Sequence, residues 1–70
     1  MGDPMTNDGF WHEKRERDGY VTHIRLTVAG RFYAHEDRET GTVELVTPSG
    51  WSVQHRSLDW ARQDIEARGF

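Results

Sequence analysis

Residues 32–55 read FYAHEDRETGTVELVTPSGWSVQH, and the two turns inside this stretch decide the fold. Arg38-Glu39-Thr40-Gly41 has the spacing of a four-residue hairpin loop, with Gly41 free to take the left-handed conformation. Pro48-Ser49-Gly50 has the chemistry of a bulged three-residue loop, since proline presets φ at the first turn position and glycine accepts a positive φ later. If Glu36 faces Val43 across the first loop, Ala34 faces Leu45 and Phe32 faces Thr47. If Thr47 faces Trp51 across the second, Leu45 faces Val53. Both turns then put Phe32, Ala34, Val43, Leu45, Trp51 and Val53 on one side of a sheet. A one-residue slip at either turn would send a whole strand's apolar set to the other face.

Working outward, Tyr20–Val28 is rich in β-branched and aromatic residues and alternates, with Ile24, Leu26 and Val28 on one side. Assigning those three to the apolar side leaves Val21, His23, Arg25 and Thr27 on the other. That parity needs an odd loop or a bulge at Ala29-Gly30. The charged run His12–Asp18 (HEKRERD) leaves two readings open. One is a helix stopped by Gly19. The other is an outer strand, Trp11–Arg17, turned back by Asp18-Gly19. Residues 1–9 (MGDPMTNDG) offer almost nothing to bury and read as a flexible tail ahead of a single domain, 10–70. After the sheet, Ser57 is placed to cap a helix over Leu58–Arg68. Leu58, Ala61 and Ile65 fall on one stripe of it, and Gly69-Phe70 resembles a glycine stop with a hydrophobic residue folded back. The expected fold is α+β: a three- to four-stranded antiparallel meander with one C-terminal helix packed on one face.

Length and composition narrow the function classes. A 70-residue chain holds one small domain, and such a domain buries only about 60 % of the surface its unfolded form exposes. Every large side chain therefore matters. Trp51 is expected in the core, Trp11 closed over the sheet edge, Trp60 half-exposed on the helix flank, and His55 hydrogen-bonded near the helix start. With no cysteine, disulfides and thiolate zinc sites are excluded. No apolar run approaches the roughly 18 residues of a membrane span, so no membrane partner and a cytoplasmic location are expected. A formal charge of −3 weakens nonspecific attraction to polyphosphate. Basic residues are almost all arginine, Lys14 being the exception, which by itself defines no site.

The sheet's second face, left without a helix, is where function is sought. The registers place Val21, His23, Arg25, Thr27, Tyr33, His35, Asp37, Glu44, Val46, Ser52 and Gln54 there. His35 falls opposite Glu44, Arg25 opposite His35, and His23 opposite Asp37. His23, His35, Asp37 and Glu44 are ligand types suited to a zinc-like ion, but no compact ligand spacing occurs, and no metal or other cofactor is expected. Ser57, His55 and Asp59 satisfy a triad only by count, across a strand-to-helix junction where Ser57 already caps. No catalytic residue is expected, and the chain is read as no enzyme. The leading reading is a small protein-binding module, a regulator or inhibitor of a larger protein. In it Arg25 would pair with a partner carboxylate, Tyr33 would supply buried area, and His35 with Glu44 would fix polar register. The alternative is a nucleic-acid-binding domain using the same face with Arg31 and Arg56. Self-association through an edge strand stays open as well.

Overall fold

A computed structural model describes residues 9–70. The expected N-terminal tail, Gly9 apart, lies outside the described residues. The chain runs β1 (Glu13–Arg17), β2 (Tyr20–Thr27), β3 (Gly30–Asp37), β4 (Val43–Val46), β5 (Ser52–His55) and α1 (Leu58–Ala67). The five strands form one antiparallel sheet in the order β1-β2-β3-β4-β5, with the helix on one face. The sheet therefore has five strands rather than three to four. The charged run supplies the extra one: Asp18-Gly19 is a two-residue turn with Gly19 at φ 74°, and β1 pairs with β2 along its whole length. All five β1 side chains are exposed, so backbone pairing holds it. Beyond its end, the His12 ring nitrogen Nδ1 accepts the Leu26 N–H at 3.1 Å.

Both turns of residues 32–55 form as their chemistry requires. Ala34 faces Leu45, Glu36 faces Val43, and Leu45 faces Val53. Gly41 and Gly50 take φ 78° and 96°. The β2–β3 connection overturns the expected parity of β2. Thr27 pairs with Gly30, so Val28-Ala29 alone makes the turn, and Val28 stands 99 % exposed at its tip. Among the described residues none other than glycine has a positive φ, so the left-handed geometry of this hairpin falls on Gly30, at φ 127°. Thr27 Oγ1 ties the turn by accepting the Ala29 N–H (3.1 Å) and donating to the Gly30 carbonyl (2.9 Å). A two-residue loop puts Arg25 opposite Phe32 and His23 opposite Ala34. Val21, His23, Arg25 and Thr27 thus lie on the helix side of the sheet, and Ile24 and Leu26 lie on the outer side.

The core sits between the helix and β3–β4. Phe10, Phe32, Ala34, Val43, Leu45, Ala61 and Ile65 are buried together, with Trp11, Leu58 and Phe70 packed against them. Ser57 caps the helix by accepting the Trp60 N–H at 3.2 Å. Arg68, expected as the last helical residue, is instead its C-cap, followed by Gly69 at φ 93°, and Phe70 folds back to 5.8 Å from the Phe32 ring. The helix is also tied to β5. Asp64 Oδ2 meets His55 Nε2 at 2.8 Å, and Asp64 Oδ1 accepts from Arg68 Nε at 2.9 Å. Burial pushes the Asp64 carboxyl up, but the hydrogen bonds and charges of Arg68 and His55 outweigh it and hold its pKa below the ordinary value. Trp11 closes over the sheet as expected, its ring 5.7 Å from His23, but over β2 rather than the edge, which β1 occupies.

Trp51 is a correction. It keeps the expected parity, its carbonyl accepting the Thr47 N–H at 2.8 Å, but its side chain is 75 % exposed. The helix meets β5 at its last residue, His55, through Asp64, and Phe70 beyond the helix packs on Phe32, so among the described residues nothing from this layer covers the start of β5. Trp60 is half-exposed on the helix flank, as its position off the apolar stripe implies.

Gly30 is the position where backbone and packing coincide. A Cβ there would stand 2.9 Å from Pro48 Cβ, while a Cβ at Gly41 would meet nothing within 4 Å. Gly30→Ala is expected to cost about 1–3 kcal/mol, roughly 4–8 °C of melting temperature per kcal/mol in a domain this size, and more than Gly41→Ala. Thermal unfolding of the two variants side by side checks the order. Equal losses would mean that Pro48 yields freely and the turn is not a packed corner.

Candidate functional site

The outer face follows directly from the register. Its central row runs Glu13, Ile24, Tyr33, Val46 and Ser52, one residue from each strand. The adjacent row runs Arg15, Thr22, His35, Glu44 and Gln54. Arg17, Tyr20 and Asp37 form the next, and Leu26 faces Arg31 on the other side. Among the described residues the helix contacts β3, β4 and β5, all through the opposite face, and no other element covers this one.

Ile24 is only 2 % exposed although it faces outward, and it does not belong to the core cluster beneath the helix. Its register neighbour Tyr33 is partly buried and lies parallel to His35, ring centroids 6.3 Å apart at an interplanar angle of 5°. His35 is held in turn by Thr22, whose Oγ1 lies 2.8 Å from Nδ1. Nε2 is left without a partner among the described residues. His35, Glu44, Tyr20, Asp37, Thr42 and Gln54 line a shallow open depression of about 270 Å³. The arrangement is a fixed aromatic–imidazole stack rimmed by carboxylates, beside half-exposed Tyr20 and Leu26. Such a surface can bury apolar area and direct a few hydrogen bonds.

Of the six residues singled out from the sequence, Tyr33, His35, Glu44 and Arg31 lie on this face, and His35 does face Glu44. Arg25 does not. Inverting β2 carries it to the helix side, where Nη1 donates to the Phe10 carbonyl at 2.8 Å and the guanidinium lies 4.3 Å from the centre of the Phe10 ring. Its Nε is buried without a hydrogen-bond partner among the described residues. Arg25 is therefore a strut for the N-terminal segment. Arg56 lies past the end of β5, 5.9 Å from the Trp60 ring. The four metal-ligand types are also divided. His23 faces the helix side and binds Glu36 at 2.9 Å, while His35, Asp37 and Glu44 face outward, and His23 faces Ala34 rather than Asp37. Among the described residues no three His, Cys, Asp or Glu side chains gather as a metal site.

Sequence reading missed Arg15 and Arg17 of β1, and Tyr20, Thr22, Ile24 and Leu26 of β2, as contributors to the outer face. Asp18-Gly19 carried the signal for β1, whereas nothing in Val28-Ala29 marks the two-residue turn that sets the outward side of β2. No protein-family model matches the chain, and comparison with curated proteins and with solved structures gives no significant match.

Assigning Arg25 to structure has a measurable consequence. Arg25→Ala removes a charged hydrogen bond and the packing on Phe10, and is expected to cost about 1–2 kcal/mol. Arg31→Ala, on the exposed outer face, should stay within about 0.5 kcal/mol. Urea unfolding of both variants tests this. A stability unchanged by Arg25→Ala would mean that Phe10 and Trp11 hold their place without it.

Proposed function

We propose that this chain is a small protein-binding module whose contact surface is the outer face of the sheet, centred on Tyr33, His35 and Glu44, with Tyr20 and Leu26 as apolar flanks. The observation that carries the reading is the uncovered five-residue row around Tyr33, with one outward side chain already nearly dry at Ile24. Tyrosine and its stacked imidazole offer area with few rotors to freeze, which is what interface anchors supply. A domain that presents a flat sheet suits a regulator or inhibitor seated on a larger partner. It acts there by occupying a surface, without chemistry of its own.

The nucleic-acid alternative now rests on different residues. Arg25 and Arg56 leave the face, and Arg15 and Arg17 join Arg31 on it. Glu13 holds Arg15 at 3.1 Å, and Asp37 and Glu44 sit among these cations, so the net field favours a protein partner.

The test is affinity capture from a lysate of the source organism, with and without nuclease, using the wild-type chain, Tyr33→Ala and Glu44→Lys. The expected result is one polypeptide retained after nuclease by the wild type and lost with both variants. Glu44 is exposed, so Glu44→Lys should melt with the wild type and separate loss of contact from loss of fold. Capture indifferent to both substitutions would overturn the assignment of the face. Capture abolished by nuclease, and falling about tenfold or more between roughly 50 and 200 mM salt, would replace it with the nucleic-acid reading.

A further inference from the structure

The two edges of the sheet are built differently. At one edge stands β1, Glu-Lys-Arg-Glu-Arg, five exposed charges of mixed sign. Charged side chains of this kind are how natural sheets discourage another strand from adding. At the other edge stands β5, Ser-Val-Gln-His, with no permanent charge. Among the described residues β5 touches only β4 and α1. Beside it on the helix side lie the exposed apolar groups Trp51, Val53 (37 % exposed) and Trp60 (49 %). None of these belongs to the outer-face site.

Backbone alternation says what can bind there. The Thr47 N–H donates to the Trp51 carbonyl at 2.8 Å, so Thr47/Trp51 is a hydrogen-bonded pair of the β4–β5 ladder. In an antiparallel ladder such pairs alternate, which makes Leu45/Val53 and Val43/His55 hydrogen-bonded too. Trp51, Val53 and His55 therefore direct their backbone groups to β4. Ser52 and Gln54 direct theirs outward, a row of donors and acceptors spaced to pair with another extended strand in place of water.

We propose that this strand is supplied by a second copy of the chain, with β5 pairing to β5 antiparallel about a two-fold axis. Self-pairing uses the outward groups on both sides when Ser52 meets Gln54 of the second copy and Val53 meets Val53. Trp51 then faces His55. Every cross-strand pair is complementary without bringing like charges together: hydroxyl on amide, valine on valine, indole on imidazole. The same operation brings the uncovered Trp51 and Val53 of both copies together on the helix side of the joined sheet. Edge asymmetry also limits the assembly. After β5 pairs with β5, both remaining edges are the charged β1, so the complex closes at two copies and does not grow into a filament.

Sedimentation or light scattering of the full chain from about 10 µM to about 1 mM reads the association by mass action. The mass should move from 8.2 kDa toward twice that value. Val53→Lys sets two ammonium groups against each other at the axis and should weaken association by about tenfold or more. Because the chain has no cysteine, Val53→Cys introduces a single thiol, placed across a non-hydrogen-bonded pair where Cα atoms approach to about 4.5 Å, within disulfide reach. Mild oxidation should link Val53→Cys into a covalent dimer and leave Glu39→Cys, in the exposed β3–β4 loop, largely unlinked. This readout does not depend on how Val53→Lys folds. A mass fixed at 8.2 kDa across the range, or equal linking of the two cysteine variants, would overturn the proposal.

Discussion

The two-residue turn Val28-Ala29 is the constraint on which the rest of the molecule depends. Gly30 takes the positive φ that closes it, in a corner where Pro48 leaves no room for a Cβ. Because side chains alternate along a strand, the length of this one loop decides which half of β2 turns to the helix side of the sheet. With two residues in the loop, Arg25 reaches the Phe10 carbonyl, His23 reaches Glu36, and Trp11 can cover His23. With one more or one fewer, Ile24 and Leu26 would turn to the helix side, and the outer face would carry His23 and Arg25 in their place.

The result is an unequal division of apolar surface. Seven buried residues form the core under the helix, while Ile24, Tyr33, Val46, Leu26 and Tyr20 form a second, thinner apolar band on the outside. The helix meets β5 only near His55, so the start of that strand is also left bare. A domain this small cannot bury all of its large side chains, and it leaves them in two places with different character. The outer band is interleaved with His35, Asp37 and Glu44 and suits directional recognition. The β5 edge is uncharged, with an unpaired backbone row, and suits strand addition.

Much of this was legible in the residues because turn chemistry is local. Pro48-Ser49-Gly50 and Arg38–Gly41 each allow essentially one loop, and the registers of β3, β4 and β5 follow from them. Ser57 as a cap and Phe70 as a folded-back stop were legible for the same reason. The parity of β2 was not. Ile24, Leu26 and Val28 alternate as a core-facing set would, but periodicity says only that they share a side, and neither Val28 nor Ala29 is a usual hairpin-turn residue. The positive φ the turn needs falls on Gly30, packed against Pro48, outside the two loop residues themselves. That error alone placed Arg25 in the candidate site and grouped His23 with His35. Trp51 shows a different limit: parity was right, but helix direction determines coverage, and nothing local encodes it. The charged β1 carries no periodic apolar signal, so only the Asp18-Gly19 turn marked it as a strand.

The most direct measurement is the set of cross-strand α-proton NOEs between β2 and β3 in the labelled chain. The observed register makes Ile24/Tyr33 and Thr22/His35 non-hydrogen-bonded pairs, whose Cα atoms approach to about 4.5 Å, so both should give strong α–α cross-peaks. Cross-peaks joining Arg25 with His35, or His23 with Asp37, would contradict it and return Arg25 to the outer face.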